Sequence, residues 1–401
     1  MNNFILLVTI ILILNLVPGC SPNDSKSDSQ TDYNVLVNSI NDFNWRLFED
    51  DLAYRTTANI HNFGPSFYQY LAWIYMGTRH ATYDQIKVTM GLQNFDDSTF
   101  LTNMHLLYDS LERSDQDVSC SMDMAIFYSD YNEIDSTYKR IMEDYFNFDI
   151  YEVDSLILID DSIREDWTEI STAGEFTNAD GGEPTEEIGI FDFIVTSRFN
   201  GQWSLAFDSV QNSLETFYHP FGDDGLVEMI HTTATLNYYE DSAVKFIDIP
   251  FGESGVYISF ILPTNPVWPM PDFVLPSKEN MAKWQKKADT TSLNISMPLI
   301  NLYDYEDRIQ SLRRLGITYI FPPLATLWYP YSNGRRVGIK SLRCDIKTKI
   351  SNSQMMVVTA KENNYSINAS IDFKLNRPFS YVIRDELTGV ILSIGRVIEP
   401  L

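Results

Sequence analysis

Residues 373–400 contain Phe373-Lys374-Leu375-Asn376-Arg377-Pro378-Phe379, then Tyr381-Val382-Ile383-Arg384-Asp385, Thr388-Gly389-Val390-Ile391-Leu392, Gly395-Arg396-Val397 and Pro400. Tyr381 to Arg384 and Val390 to Val397 are apolar runs on either side of the turn Thr388-Gly389, which reads as two paired strands. Working outward, Val244 to Ile249 and Val256 to Leu262 flank the turn Phe251-Gly252-Glu253-Ser254-Gly255. Leu293, Ile295 and Met297 alternate with polar residues, as a half-buried strand requires. Helical signals lie earlier. Leu36, Ile40, Phe43 and Leu47 share one helix face, and Phe67 to Met76 is apolar all round and stopped by Gly77. Thr82-Tyr83-Asp84-Gln85 reads as a capping box with Gly91 as a stop, and Asp304 as the cap of a helix carrying Ile309, Leu312 and Leu315, ended by Gly316. Helices early and strands late predict an α+β fold.

The chain has 401 residues, 44% hydrophobic, with 29 Lys and Arg against 55 Asp and Glu and a net charge of −26. That composition supports a large core and excludes a disordered chain. A nucleic-acid binder needs a basic face, so nucleic acid is excluded as a partner, and an anionic membrane surface would repel the chain.

Phe4 to Val17 is almost wholly apolar, too short for the ~20 residues of a spanning helix but suited to a signal-peptide core. Val17-Pro18-Gly19-Cys20 resembles a bacterial lipoprotein cleavage site, with Cys20 as the lipid attachment. Pro18, and the lack of Lys or Arg in Met1 to Asn3, depart from that pattern. An ordinary secretory signal or an uncut anchor helix are the alternatives, and each places the protein outside the cytoplasm. The reading is a signal peptide over 1–19, a lipidated Cys and flexible polar tether over 20–33, and one domain over 34–401. Cys120 and Cys344 are either paired or buried thiols.

Chemistry-bearing motifs are missing. There is no GxSxG, GxxxxGK[ST], HExxH or GxGxxG. His61, His80, His105, His219 and His231 are scattered, and Asp180-Gly181-Gly182-Glu183-Pro184 lacks the ligand alternation of a calcium loop. No enzyme activity, cofactor or metal is expected.

The carboxyl-terminal stretch resembles the signature of the serpins, with Ser380 where the family usually has an apolar residue. Other blocks follow in the family's order. They are Tyr75-Met76-Gly77-Thr78-Arg79 with Thr82 and Gln85-Ile86; Ala125-Ile126-Phe127 with Tyr145-Phe146; and Trp167 with Thr172 and Gly174. Then come Phe199-Asn200-Gly201-Gln202-Trp203, Ile249-Pro250-Phe251, Ile261-Leu262-Pro263, and Leu315-Gly316-Ile317 with Phe321, Ala325 and Leu327. The resemblance spans Asn34 to Leu401. It implies a monomeric domain with three β-sheets, eight or nine helices and an exposed reactive loop, over about 351–374. A target peptidase cleaves the loop, which inserts as a new strand and drags the acyl-linked peptidase with it.

A gap-free count back from Pro378 places the cleaved bond at Ile367-Asn368 and the hinge at Ser351 to Val358. Inhibitory members carry Glu, Gly and a run of Ala there. This chain has Ser351, Ser353 and then Met356, Val357 and Val358, which slow insertion and stiffen the turn. In that count Gln354, Met356, Val358, Ala360, Glu362 and Asn364 face the core of the inserted strand, and a buried Glu362 opposes completion. The family's polar cluster where the sheet parts falls on Gly64, Phe67, Val195 and Arg343, so apolar packing replaces it. Two functions follow. One is an inhibitor of an extracytoplasmic serine or cysteine peptidase. The other is a non-inhibitory binding or surface protein that keeps the fold without the trap.

Overall fold

The two runs around Thr388-Gly389 form the strands β15 (Phe379–Asp385) and β16 (Ile391–Val397), paired antiparallel. In the computed structural model the described residues are 24–129, 134–153, 161–176, 191–265, 268–271, 274–321, 324, 339, 342–351, 354–355 and 371–400. Gly389 turns the chain at φ +80, a conformation open to glycine without strain. β16 pairs with β1 (Ile60–Phe63), while β15 continues through β9 (Val256–Pro263) and β8 (Val244–Pro250) to β7 (Gly225–Glu240). The 16 residues of β7 let one strand serve two halves of a sheet. Its first five residues pair with β6 (Ser213–Phe217) and residues Met229 to Tyr238 with β10 (Asp289–Pro298), and β10 takes β14 (Ile371–Lys374) in parallel. These make nine strands in all.

A second sheet holds β2 (Arg113–Ser114), β3 (Val118–Ser129), β4 (Asp149–Val153), β5 (Phe191–Gln202) and β13 (Gln354–Met355). A third is the antiparallel pair β11 (Ile300–Asp307) and β12 (Arg343–Ile350). Eight α-helices lie among the described residues: α1 (Asp24–Tyr54), α2 (Gly64–Met76), α3 (His80–Thr89), α4 (Asp97–Leu111), α5 (Ser136–Phe146), α6 (Asp161–Ser171), α7 (Lys278–Lys287) and α8 (Ile309–Arg314). The fold is α+β with three sheets, as the sequence predicts.

The helical face Leu36, Ile40, Phe43 and Leu47 is buried in the main core, as are Leu293, Ile295 and Met297 of β10. A second cluster packs Trp45 and Phe48 of α1 and Trp284 of α7 on Phe246 and Ile394. Three local expectations differ from the structure. α1 begins at Asp24, so much of the polar stretch expected as a tether is helical; extending a nucleated helix costs little per residue. Thr82 lies inside α3, fully buried, with Arg79 at the N-cap; Gln85 instead receives the backbone N–H groups of Thr318 and Tyr319. Asp304 lies in β11, and the carboxylate at the head of α8 is Asp307, which accepts from the Ile309 N–H at 2.9 Å. A strand running straight into a helix moves the cap downstream.

One buried ion pair fixes α1 to the end of β11. Arg308, 2% exposed, donates to both Asp51 oxygens at 2.7 and 2.9 Å and to Asn62 Oδ1 at 2.5 Å. Asn62 Nδ2 returns to Asp51 at 2.8 Å, which closes a triangle of three elements with satisfied partners.

Candidate functional site

The second and third sheets are parted from each other between β5 and β12. Among the described residues β5 pairs with β3 and β13, and β12 pairs with β11 only. A cleft of about 190 Å³ lies in the gap, flanked by Ser197 to Asn200 of β5 and by Lys347 to Lys349 of β12. His61 and Asn62 of β1, Tyr381 and Ile383 of β15 and Ser393 of β16 line it too. At one end β13, which follows β12 in the chain, joins β5 antiparallel with Gln354 opposite Gln202 and Met355 opposite Gly201. Trp203 closes that end. Its ring stacks on Phe251 at 5.3 Å and its indole N–H donates to the Ser351 carbonyl at 3.1 Å. The start of the candidate loop is therefore held in the parting by a side chain of the Phe199-to-Trp203 stretch.

Continued along the sheet, the pairing at β13 would give the opposite alternation to that expected from the gap-free count. A Cβ on Gly201 would lie 2.5 Å from the Phe251 ring, which is wholly buried, so position 201 faces the core. Val195, Phe193 and Phe199 pack on the main core, whereas Ile194 packs toward α6 with Trp167. Odd positions of β5 are thus core-facing. A strand continuing the β13 register would set the residues opposite odd positions of β5 on that face. The count carries no information on where the pairing begins, and a shift of one residue reverses every side chain.

Beneath the parting, aromatic packing stands where the family carries polar groups. Phe67 lies 6.0 Å from Phe43 and 6.1 Å from Tyr70, Tyr70 stacks on Phe193 at 5.0 Å, and Phe193 reaches Trp73 at 5.4 Å. Polar groups enter from other positions. A Cβ on Gly64 would lie 2.2 Å from the Asn44 carboxamide, so that amide fills the place of a side chain at 64 and donates to the Ile391 carbonyl at 3.1 Å. His61 Nδ1 is 3.0 Å from the Tyr381 hydroxyl. Burial pushes the Tyr381 phenol up, while the hydroxyls of Ser393 and Thr348 act against it. Thr348 belongs to β12, so this cluster ties the edge of the parting to the sheet below. Two long-range pairs of this kind leave no mark in the local sequence.

On the opposite face α6 covers β3, β4 and β5. Trp167 packs on Ala125, Phe127, Tyr151 and Ile194, and its indole N–H donates to Asp149 at 2.7 Å. The chain then passes through Ala173 and Gly174 at φ +53 and +79, and Glu175 reaches Lys347 at 2.7 Å and Lys349 at 2.9 Å. The two ammonium groups hold the Glu175 carboxyl below its usual range.

Of the site residues expected from sequence, Ser351 and Gln354 sit at the parting. Ser353, Met356, Val358, Ile367, Asn368 and the lipid attachment Cys20 lie outside the described residues, as does the acidic turn 180–184. Cys120 is a buried free thiol, pushed up to about 12 by burial. Among the described residues no group of three His, Cys, Asp or Glu could hold a metal ion, and no helix is long and apolar enough to cross a membrane.

Comparison with known proteins matches this architecture. A family model described as Serpin (serine protease inhibitor) covers residues 38–400. An uncharacterized serpin-like protein of Thermococcus kodakarensis is 24% identical over all of this chain and 99% of its own. Serine protease inhibitor 42Dd of Drosophila melanogaster is 20% identical, over 82% of this chain and 88% of its own. Plasminogen activator inhibitor 1 of Bos taurus is 22% identical over 59% of this chain and 61% of that protein. Among solved structures, human thyroxine-binding globulin with thyroxine superposes with a TM-score of 0.81 at 16% identity, over 92% of this chain and 99% of its own. Native protease nexin-1 with heparin gives 0.80 at 17% identity, over 92% and 100%. With the family model matched over residues 38–400 and three sheets in an α+β fold, this chain is a member of the serpin family.

Proposed function

We propose that this protein inhibits a serine or cysteine peptidase outside the cytoplasm by admitting its own cleaved loop into the parting between β5 and β12. The observation that carries the reading is the pairing of Gln354 and Met355 with β5, next to an open cleft. The loop runs over about 351–374 with its cleaved bond at Ile367-Asn368. It belongs to a domain over 34–401, carried behind a leader over 1–19 and lipid-anchored through Cys20. The chain is not an enzyme, and its relatives include named peptidase inhibitors. The test is incubation with a panel of serine and cysteine peptidases, followed by denaturing electrophoresis. A complex that survives denaturation is expected; loop cleavage without any such complex across the panel would overturn the trap. Cys20→Ser should release the protein from membranes, and retention would refute the lipid anchor.

A second reading is favoured by the aromatic packing of Phe67, Tyr70 and Phe193 and by the bulky hinge residues Met356, Val357 and Val358. In that reading the chain keeps the fold as a binding or surface protein, and cleavage in the loop leaves its thermal stability unchanged.

A further inference from the structure

The two halves of the parted sheet are bridged on the α6 side by one carboxylate. α6 is anchored on β3, β4 and β5 through Trp167, so it belongs to one half. Its C-terminal turn is well held. Gly174 N–H donates to the Glu169 carbonyl at 2.7 Å, the Thr172 hydroxyl donates to the Thr168 carbonyl at 2.6 Å, and Phe176 N–H donates to the Thr172 hydroxyl at 3.1 Å. From that fixed turn Glu175 meets the other half. Lys349 donates to both its oxygens at 2.9 Å, and Lys347 lies 2.7 Å from one of them. Lys347 and Lys349 are two apart on β12 and so share a face, while Thr348 between them turns to the Tyr381 side of the sheet. β12 makes no backbone pairs with β5 among the described residues, and Lys347 adds a longer contact of 3.5 Å to the Glu175 carbonyl.

We propose that Glu175 is a clasp that locks the turn after α6 onto β12 and thereby sets how readily the parting widens to admit a strand. For a strand to lie between β5 and β12, β12 and its partner β11 must move away from β5, and the turn carrying Glu175 cannot stay on both halves. Breaking the clasp therefore belongs to the barrier and not only to the end states. The groups involved are half-exposed, with 26% of the Glu175 side chain and 27% and 38% of the two lysines accessible. A shared carboxylate of this exposure corresponds to a rate effect of roughly three- to tenfold, reduced by salt.

The consequence for insertion rests on the inhibitory reading, so the test uses two measurements on the full chain. Amide exchange over residues 343–350 in the uncleaved protein reports the clasp alone. The rate at which thermal resistance develops after one cut in the loop reports insertion. Glu175→Gln should quicken exchange in β12 and speed the gain of resistance roughly three- to tenfold. A full reversal, Glu175→Lys with Lys347→Glu and Lys349→Glu, should return both toward the native values, which a merely local disturbance would not do. Unchanged exchange in Glu175→Gln overturns the clasp. So does an unchanged rate of gain when both proteins acquire resistance. Quickened exchange with no gain of resistance in either protein supports the clasp and instead defeats the inhibitory reading.

Discussion

Lys361→Ala and Glu362→Ala separate the two possible registers of the inserted strand. Gln354 and Met355 pair with Gln202 and Gly201. A strand that continued this pairing would set Lys361 opposite Val195, on the core face, and Glu362 opposite Ile194, on the face under α6. Val195 packs against the main core, beside an aromatic layer that includes Phe67 and Phe193. An ammonium there must either reach back to water or give up its proton. Giving it up at pH 7 from an ordinary pKa near 10.4 costs about 4.6 kcal/mol. Lysine's four-carbon stem recovers part of that by snorkelling. A residual cost of about 1.4 kcal/mol in the barrier is a factor of about ten in insertion rate. Lys361→Ala is therefore expected to speed the gain of thermal resistance after cleavage by at least about tenfold. In a trapping assay it should also raise the fraction of peptidase captured over that released. Glu362→Ala should change either quantity by less than about twofold, because its position lies toward solvent and α6. The assay is thermal unfolding at timed intervals after a single cut, run beside titration of a reacting peptidase. If Glu362→Ala accelerates insertion and Lys361→Ala does not, the pairing seen at Gln354 and Met355 does not extend along the sheet, and the gap-free count was the better guide.

Three further outcomes follow from buried groups. Arg308→Met leaves Asp51, 1% exposed, as an uncompensated buried charge, which costs about 3–5 kcal/mol. The thermal midpoint should fall by several degrees, and pairing it with Asp51→Leu should restore most of the loss; a single variant that melts with the parent refutes the argument. Burial, with Asp123 and Asp109 nearby, pushes the Glu112 carboxyl up to about 7. A raised carboxyl destabilises the fold above that pH and ceases to do so as pH falls through the ordinary carboxylate range. Glu112→Gln should accordingly stabilise the protein at pH 8 and lose that advantage by about pH 4, as thermal melts at the two pH values would show. The Ser380 hydroxyl is buried without a hydrogen-bond partner, and Ser380→Ala should raise stability by about 0.5–1 kcal/mol; a clear loss would mean the hydroxyl has a partner after all.

Legibility followed the range of the forces involved. β15, β16, β8, β9 and β10 were readable because each buries a periodic apolar set, and periodicity is local. The face of α1 was readable for the same reason. Caps were less so, since Thr82 and Asp304 carry capping side chains at positions whose fate is decided by packing and by a strand that runs on to Asp307. The Asp51–Arg308–Asn62 triangle joins residues 257 and 246 apart in the chain. Nothing in a local window marks such pairs, and His61 with Tyr381 and Glu175 with Lys347 and Lys349 are of the same kind. The hinge composition was legible, but its register was not, because register depends on where the pairing begins, which composition does not measure.

The hinge and the layer beneath it pull against each other in a way that the clasp helps to order. Bulky residues at Met356, Val357 and Val358 slow insertion, and the phenyl rings of Phe67 and Phe193 give an incoming strand no hydrogen bonds to exchange. Either would be expected to abolish a trap that depends on speed. Yet the start of the loop is paired with β5, and the Trp203 indole holds the Ser351 carbonyl. Some of the ordering of the first residues is thus complete before any peptidase arrives, and that part of the entropy no longer belongs to the barrier. A partly ordered hinge would also let an uncut loop creep inward, which would inactivate an inhibitor without a target. A clasp between the turn after α6 and β12 opposes that loss while costing a cleaved loop only a modest factor. Slow hinge residues and a salt-sensitive clasp together favour retention of the uncut loop over its rapid insertion.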